Sequence, residues 1–194
     1  MNFRQKIWRL RSGFYRIGRS LPVFSAIHQK ELEGLKTLLS SIPDDIQTLL
    51  DIGFGSGGSL AVFPESWTIF GLDWSPAMIK RANAESHHIY RIAGDAQALP
   101  IKPRSFSLVS VIGLLEYVED KSAFLSELSL ILKPDGYALL TIAPSNPFNR
   151  LRIILGHRLF FISTQEWERL LANEWHIVKC RSTLLQGQVL IQRI

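Results

Sequence analysis

The chain has 194 residues, 46% of them hydrophobic, which suffices for one ordinary core and falls short of two full domains. A single cysteine, Cys180, excludes an internal disulfide and a thiolate zinc site, so a reduced cytoplasmic setting without a metal is the expectation. The net charge of +5 sits at one end: the first thirty residues hold seven cations and no acid, leaving 15 cations against 17 acids elsewhere.

That N-terminal arm (Arg4, Lys6, Arg9, Arg11, Arg16, Arg19, Lys30) interleaves its cations with Trp8, Phe14, Tyr15 and Phe24 and lacks the continuous apolar region of a secretory signal. The longest uncharged stretches, 52–64, 105–115 and 136–149, fall short of the roughly 18–20 apolar residues that span a bilayer. Past the arm, "IQTLLDI" (46–52) is an apolar run ending at glycines, as a buried strand should, and a short helix is predicted through Leu60 until Pro64. "WTIFGLD" (67–73) predicts a second strand. Ser75 as N-cap and Pro76 at the first helical position predict a helix to about Ser86. "HIYRIAGD" (88–95) and "SFSLVSVIGLL" (105–115) predict two further strands around a loop with Pro100 and Pro103. Residues 120–132 place Phe124, Leu125, Leu128, Ile131 and Leu132 on one helical face, stopped by Pro134 and Gly136. "GYALLTIA" (136–143) predicts a fifth strand, Ser163 and Glu166 a capping box, and residues 175–182 and 188–194 a closing strand pair. Strand alternating with helix, then a terminal strand pair, argues a single α/β domain with a mostly parallel sheet and helices on both faces.

In such a sheet the loop leaving the first strand borders the ligand crevice, and here it is "LLDIGFGSGG" (49–58). Glycines permit close backbone approach. Gly53, Gly55 and Gly58 also satisfy the dinucleotide pattern, but Asp51, two residues upstream, would repel a pyrophosphate and suits a cationic ligand. S-adenosylmethionine, with an ammonium, a sulfonium and no phosphate, fits that charge. Asp73 ends the second strand where a carboxylate can accept both ribose hydroxyls, and Trp74 offers an aromatic face for adenine. Asp95 and Ala96 in "GDA" stand at the same sheet edge, ready for the adenine amino group and a ring nitrogen.

With "GLDWSPAMI", "GDAQALPIKPRSFSLVSV" and "LLEYVEDKSAFLSELSLILKPDGYALLTI" added to the glycine loop, residues 46–143 resemble the class I S-adenosylmethionine-dependent methyltransferases, in particular the branch acting on small molecules and lipids. The resemblance implies a Rossmann-like seven-stranded sheet, mostly parallel with an antiparallel last strand. It divides the chain into an arm and helix covering the pocket (1–45) and the cofactor-binding body (46–194). It also implies that Gly53, Gly55 and Gly57 and the backbone at Ile112, Gly113 and Leu114 hold the methionine end. Tyr117 stands where relatives often carry histidine. No N/D-P-P-Y/F motif follows the fourth strand, which counts against adenine-N6 and glutamine methylation.

Methyl transfer from a sulfonium is an in-line displacement that needs alignment and exclusion of water more than side-chain chemistry. Glu116, Tyr117, His157 and His28 are the candidate general bases. Acceptor choice falls to the arm and to "PSNPFNRLRIILGHRLFF" (144–161), both basic and greasy, which the resemblance places over the donor pocket. An anionic amphiphile at the inner face of a membrane, a small anionic metabolite, or RNA would each fit such a lid. The slightly acidic body ranks nucleic acid below the others. A non-catalytic cofactor-binding subunit is the reading from a different class; a nicotinamide oxidoreductase is disfavoured by Asp51.

Overall fold

A computed structural model describes residues 22–82, 88–154, 156–183 and 185–194. The expectations placed on the arm, residues 1–21, lie outside the described residues. The chain enters through α1 (Pro22–Leu39), whose Leu32, Leu35, Leu38 and Leu39 share one buried face. The helix ends in tight turns, Ser41 N to Leu38 O and Ile42 N to Leu39 O, just before Pro43, which cannot continue them.

Seven strands follow: β1 (Thr48–Ile52), β2 (Thr68–Asp73), β3 (His88–Ala93), β4 (Phe106–Val111), β5 (Leu132–Ile142), β6 (Trp175–Ser182) and β7 (Gly187–Arg193). They form one sheet in the order β3-β2-β1-β4-β5-β7-β6. The ladders from β3 to β5 are parallel, and β7 runs antiparallel between β5 and β6. The expected seven-stranded, mostly parallel sheet with an antiparallel last strand is therefore the fold observed. Its strand order reverses between β1 and β4, so the crevice beyond their carboxyl ends is the topological switch point where ligands bind in open α/β sheets.

Helices α2 (Pro76–Arg81), α3 (Lys121–Ile131), α4 (Pro147–Ile154) and α5 (Thr164–Leu171) complete the layers with α1. On one face, Phe124, Leu125, Leu128 and Ile131 of α3 and Trp167 and Leu171 of α5 pack on Leu50, Val109, Ala138 and Ile191. On the other, α1 packs on Leu49, Ile69, Leu108, Leu139 and Leu190, the strand positions one residue out of phase. Both α3 and α5 are capped as helix starts should be, Asp120 Oδ1 accepting from Ala123 N and Ser163 Oγ from Glu166 N.

Element ends differ most from the sequence reading in four places. The helix before Pro64 is a single 3-10 turn, Leu60–Val62. Helix α2 stops at Arg81, where extended Ala82 gives its carbonyl to the Arg91 guanidinium at 3.2 Å. Strand β4 stops at Val111 instead of running to residue 115, because Gly113 turns the chain with φ +71°. Strand β5 begins at Leu132, directly after α3, and its pairing slips between Phe106↔Leu132 and Leu108↔Tyr137. The slip accommodates Pro134, which has no ladder donor, and Asp135 at φ 59°.

Candidate cofactor and acceptor site

The glycine loop is anchored to the end of β2. Gly53 N and Phe54 N both donate to Leu72 O, at 2.9 and 3.0 Å, and buried Phe54 lies against Gly71, where any side chain would strike its ring. Gly53, Gly55 and Gly57 all have positive φ, so the backbone curls through a path closed to most residues. At Gly53 a second constraint applies, since an added Cβ would lie 3.0 Å from Leu114, which crosses from the end of β4.

Two buried carboxylates stand beneath this loop. Asp73 Oδ2 accepts from Gly55 N at 2.9 Å and Oδ1 from Ser75 N at 2.8 Å, joining the loops that leave β1 and β2. Each oxygen retains a lone pair for a hydroxyl. Asp51 accepts from Ser110 Oγ on β4 at 2.6 Å and from Ser59 Oγ after the glycine loop. Burial raises the Asp51 carboxyl to about 6; the two serine hydroxyls work against that shift and the Asp73 charge adds to it. Burial also raises Asp73, opposed by the Ser75 and Gly55 amides. Among the described residues no lysine or arginine is bonded to either acid.

Around these acids, Trp74 is exposed next to Asp73, and Asp95 is exposed in the turn leaving β3, where its Oδ1 accepts from Gln97 N at 3.0 Å; Ala96 beside it is half-buried. Ile112 is half-buried against the α1 face. Gly113 donates to Thr141 Oγ1 at 2.7 Å, and among the described residues, its chain neighbours aside, no atom lies within 4 Å of where its Cβ would be. Among the described residues, the carboxyl edge thus presents partly exposed glycine backbone over two buried acids, with no lysine or arginine bonded to either acid. These residues fit a cationic, phosphate-free adenosine derivative better than a dinucleotide.

Residues 50–140 match the methyltransferase domain family. Over that segment, just under half of its length, the chain is similar to a methyltransferase domain. The malonyl-[acyl-carrier protein] O-methyltransferase of Xylella fastidiosa (strain M23) is 26% identical over 132 residues, covering 65% of this chain and 44% of that protein. The demethylmenaquinone methyltransferase of Staphylococcus saprophyticus is 36% identical over 84 residues, covering 41% and 36%. The chain therefore spans less than half the length of these curated relatives. Among solved structures, magnesium protoporphyrin IX methyltransferase from Synechocystis PCC 6803 with bound S-adenosylhomocysteine superposes with a TM-score of 0.73 at 19% identity, over 94% of this chain and 95% of the other. At that identity the likeness is one of fold.

Beside this crevice a second polar cluster brings together three of the four candidate bases. Arg152 of α4 reaches back to the 3-10 turn after β4, Leu115–Tyr117, its Nη2 lying 3.1 Å from Glu116 Oε1 and 2.9 Å from the Tyr117 hydroxyl. Its Nη1 donates to Asn149 Oδ1 at 3.1 Å. The Tyr117 hydroxyl is 3.1 Å from His157 Nδ1. Because a guanidinium only donates, the phenol oxygen accepts from Arg152 and can pass its own proton toward His157. Burial disfavours the Arg152 charge, but Tyr117 and Glu116 outweigh it and hold that charge firmly. The segment beyond α4 is clasped as well, Phe160 N donating to Glu116 O at 2.7 Å and Lys121 Nζ to Phe160 O at 2.8 Å. Burial lowers Lys121 against the pull of the Glu166 and Glu116 charges. His28 lies half-buried on α1, an element apart from this cluster.

The basic segment thus spends part of its charge internally. Arg152 pairs with Glu116, and exposed Arg158 with exposed Glu119 at 3.2 Å, so the lid is less cationic than its composition suggested. Sequence reasoning missed the Arg152 partnership, which spans 36 residues and has no local signal. It also missed Ser110 and Thr141 as holders of Asp51 and Gly113; a hydroxyl inside the otherwise apolar runs "LVSVI" and "LLTIA" was the available clue. Arg152→Ala leaves a buried carboxylate unpaired and is expected to lower stability by roughly 2–3 kcal/mol in urea unfolding, with Arg152→Lys recovering only part because an ammonium lacks the planar fork.

Proposed function

We propose that this chain is an S-adenosylmethionine-dependent methyltransferase acting on a small, anionic or amphiphilic acceptor. The observation that carries the reading is the pair of buried acids, Asp51 and Asp73, beneath a positive-φ glycine loop with open space at Gly113. Bound there, the cofactor supplies a methyl group on a cationic sulfonium, a leaving group that departs neutral.

The chain's own part is binding and alignment. Asp73 would accept the ribose hydroxyls on its remaining lone pairs, and Trp74, Asp95 and Ala96 would frame the adenine. The backbone at Gly53, Gly55, Gly57 and Ile112 to Leu114 would line the methionine end. Asp51, 1% exposed beneath the loop, would act through its field rather than by direct contact. On the acceptor side, Glu116 is held in an ion pair, which leaves the Tyr117 and His157 pair as the better proton acceptor. The names of the two relatives, malonyl-[acyl-carrier protein] and demethylmenaquinone methyltransferases, support acceptors that are anionic or amphiphilic.

The test is calorimetric titration with S-adenosylmethionine, S-adenosylhomocysteine and NADH, followed by release of S-adenosylhomocysteine in the presence of carboxylates, phenols and quinols. Binding of the first two alone, with turnover on one acceptor class, is expected. Binding without turnover on any class makes the domain a cofactor-binding subunit, and tight NADH binding overturns the charge argument.

A further inference from the structure

Helix α4 is inverted relative to an ordinary surface helix, which turns apolar residues to the body and polar ones to water. The two residues that α4 turns inward are polar. Asn149, 1% exposed, donates from Nδ2 to Pro144 O at 2.9 Å and Leu185 O at 3.1 Å, and Arg152 makes the bonds already described. The outward arc carries Phe148 (55% exposed), Leu151 (52%), Ile153 (44%) and Ile154 (80%), with Arg150 among them. The polar anchors account for how the helix is attached and leave four large apolar side chains in water, a grouping that marks an interaction surface.

We propose that α4 is an interfacial docking helix that sets Phe148, Leu151, Ile153 and Ile154 into the headgroup boundary of an anionic lipid surface. Charge selects this occupant. No acid occurs between Asp135 and Glu166, and Arg150 lies on the face itself, so the segment that carries the face favours a negative partner. The arm itself would bring cations against Arg150, and a second copy packed about a two-fold axis would set Arg150 toward its own equivalent. A protein partner is disfavoured by the arc's chemistry: Arg150 is its one hydrogen-bonding side chain, whereas protein interfaces carry about one hydrogen bond per 100–200 Å². A bilayer boundary accepts that combination of aliphatic, aromatic and arginine side chains. Since Arg152 joins the same helix to Glu116 and Tyr117, docking turns the carboxyl edge of the sheet toward the lipid.

The inference goes beyond methyl transfer and is read without turnover. The full chain is floated with vesicles of phosphatidylcholine and phosphatidylglycerol in equal parts, and with phosphatidylcholine alone. The unaltered chain is expected to float with the mixed vesicles, and Leu151→Glu/Ile154→Glu to lower its partition at least about tenfold, with an unchanged melting profile and unchanged S-adenosylmethionine binding. Leu151→Met/Ile154→Leu is expected to bind as the unaltered chain does. No flotation of the unaltered chain overturns the proposal, as does undiminished binding by the glutamate variant, which would assign the contact to the arm. A dimer that the glutamate variant dissociates in the absence of lipid also overturns it, by giving the face to a second copy.

Discussion

Asp73→Ala is expected to weaken S-adenosylmethionine binding at least about tenfold, equivalent to roughly 1.4 kcal/mol. The carboxylate has two tasks, and the substitution removes both. It holds the Gly55 and Ser75 amides at 2.9 and 2.8 Å, keeping the glycine loop and the loop after β2 in register, and its remaining lone pairs are the proposed acceptors for the ribose hydroxyls. Loss of the first task leaves two amides unsatisfied in a buried setting, at about 1–3 kcal/mol each if water does not replace the acceptor. Asp73→Asn keeps one acceptor oxygen and sets an amino group against the other N–H, so it restores at most part of the loop. The two tasks separate in a double cycle with S-adenosylhomocysteine and its 2′-deoxy analogue. Removing the hydroxyl is expected to weaken binding to the unaltered chain and to make little difference in Asp73→Ala. Equal loss in both proteins would assign Asp73 to loop geometry alone, and unchanged affinity in Asp73→Ala would mean that the cofactor binds elsewhere.

What the sequence made legible follows the range of the forces involved. The glycine loop, Asp51 and Asp73 could be read because each is defined by its immediate neighbours: an apolar run that must be a strand, a turn that must follow, and an acid at a fixed place in each. The mostly parallel α/β sheet came from alternation and the terminal pair, and its seven strands with an antiparallel last one from the family resemblance. Helix α4 escaped because amphipathic reading assumes that apolar residues face inward. In Pro147–Ile154, Phe148, Leu151 and Ile154 face water while Asn149 and Arg152 hold the helix down, so the segment looked like a basic, greasy lid without periodic structure. The bonds of the Glu116–Arg152–Tyr117–His157 cluster span up to 40 positions, and only the packing of α4 and the segment after it over the turn that follows β4 brings these residues into one network. The start of β5 at Leu132 was hidden for a related reason. Pro134 and Gly136 read as a helix stop, which they are, yet the bulged pairing with β4 also admits them to a strand.

Asp51→Asn is expected to make the ligand-free chain more stable at neutral pH and a poorer binder. In the folded chain the Asp51 carboxyl sits at about 6, against 3.8 in the open chain, chiefly because burial disfavours the charge. Between those values the folded state keeps a proton that the unfolded state has lost. Stability from this group is therefore complete below about pH 4 and declines as pH rises toward 6, by roughly 3 kcal/mol over the window at about 1.4 kcal/mol per unit. Asparagine carries no charge to bury, and the Ser59 and Ser110 hydroxyls can rotate to suit an amide. The variant should exceed the unaltered chain in urea unfolding at pH 7.5 by up to that amount, with the difference fading near pH 4. Binding should move the other way. A cationic ligand favours the ionised carboxyl, so uptake of S-adenosylmethionine by the unaltered chain should expel a proton below pH 6, and affinity should climb with pH through that range. In Asp51→Asn this contribution to the pH dependence should be lost and affinity at pH 7.5 should fall below that of the unaltered chain. A variant that is less stable at pH 7.5 and binds with the same pH profile would show that Asp51 is a structural acceptor for its two serines and leaves the ligand's charge to Asp73.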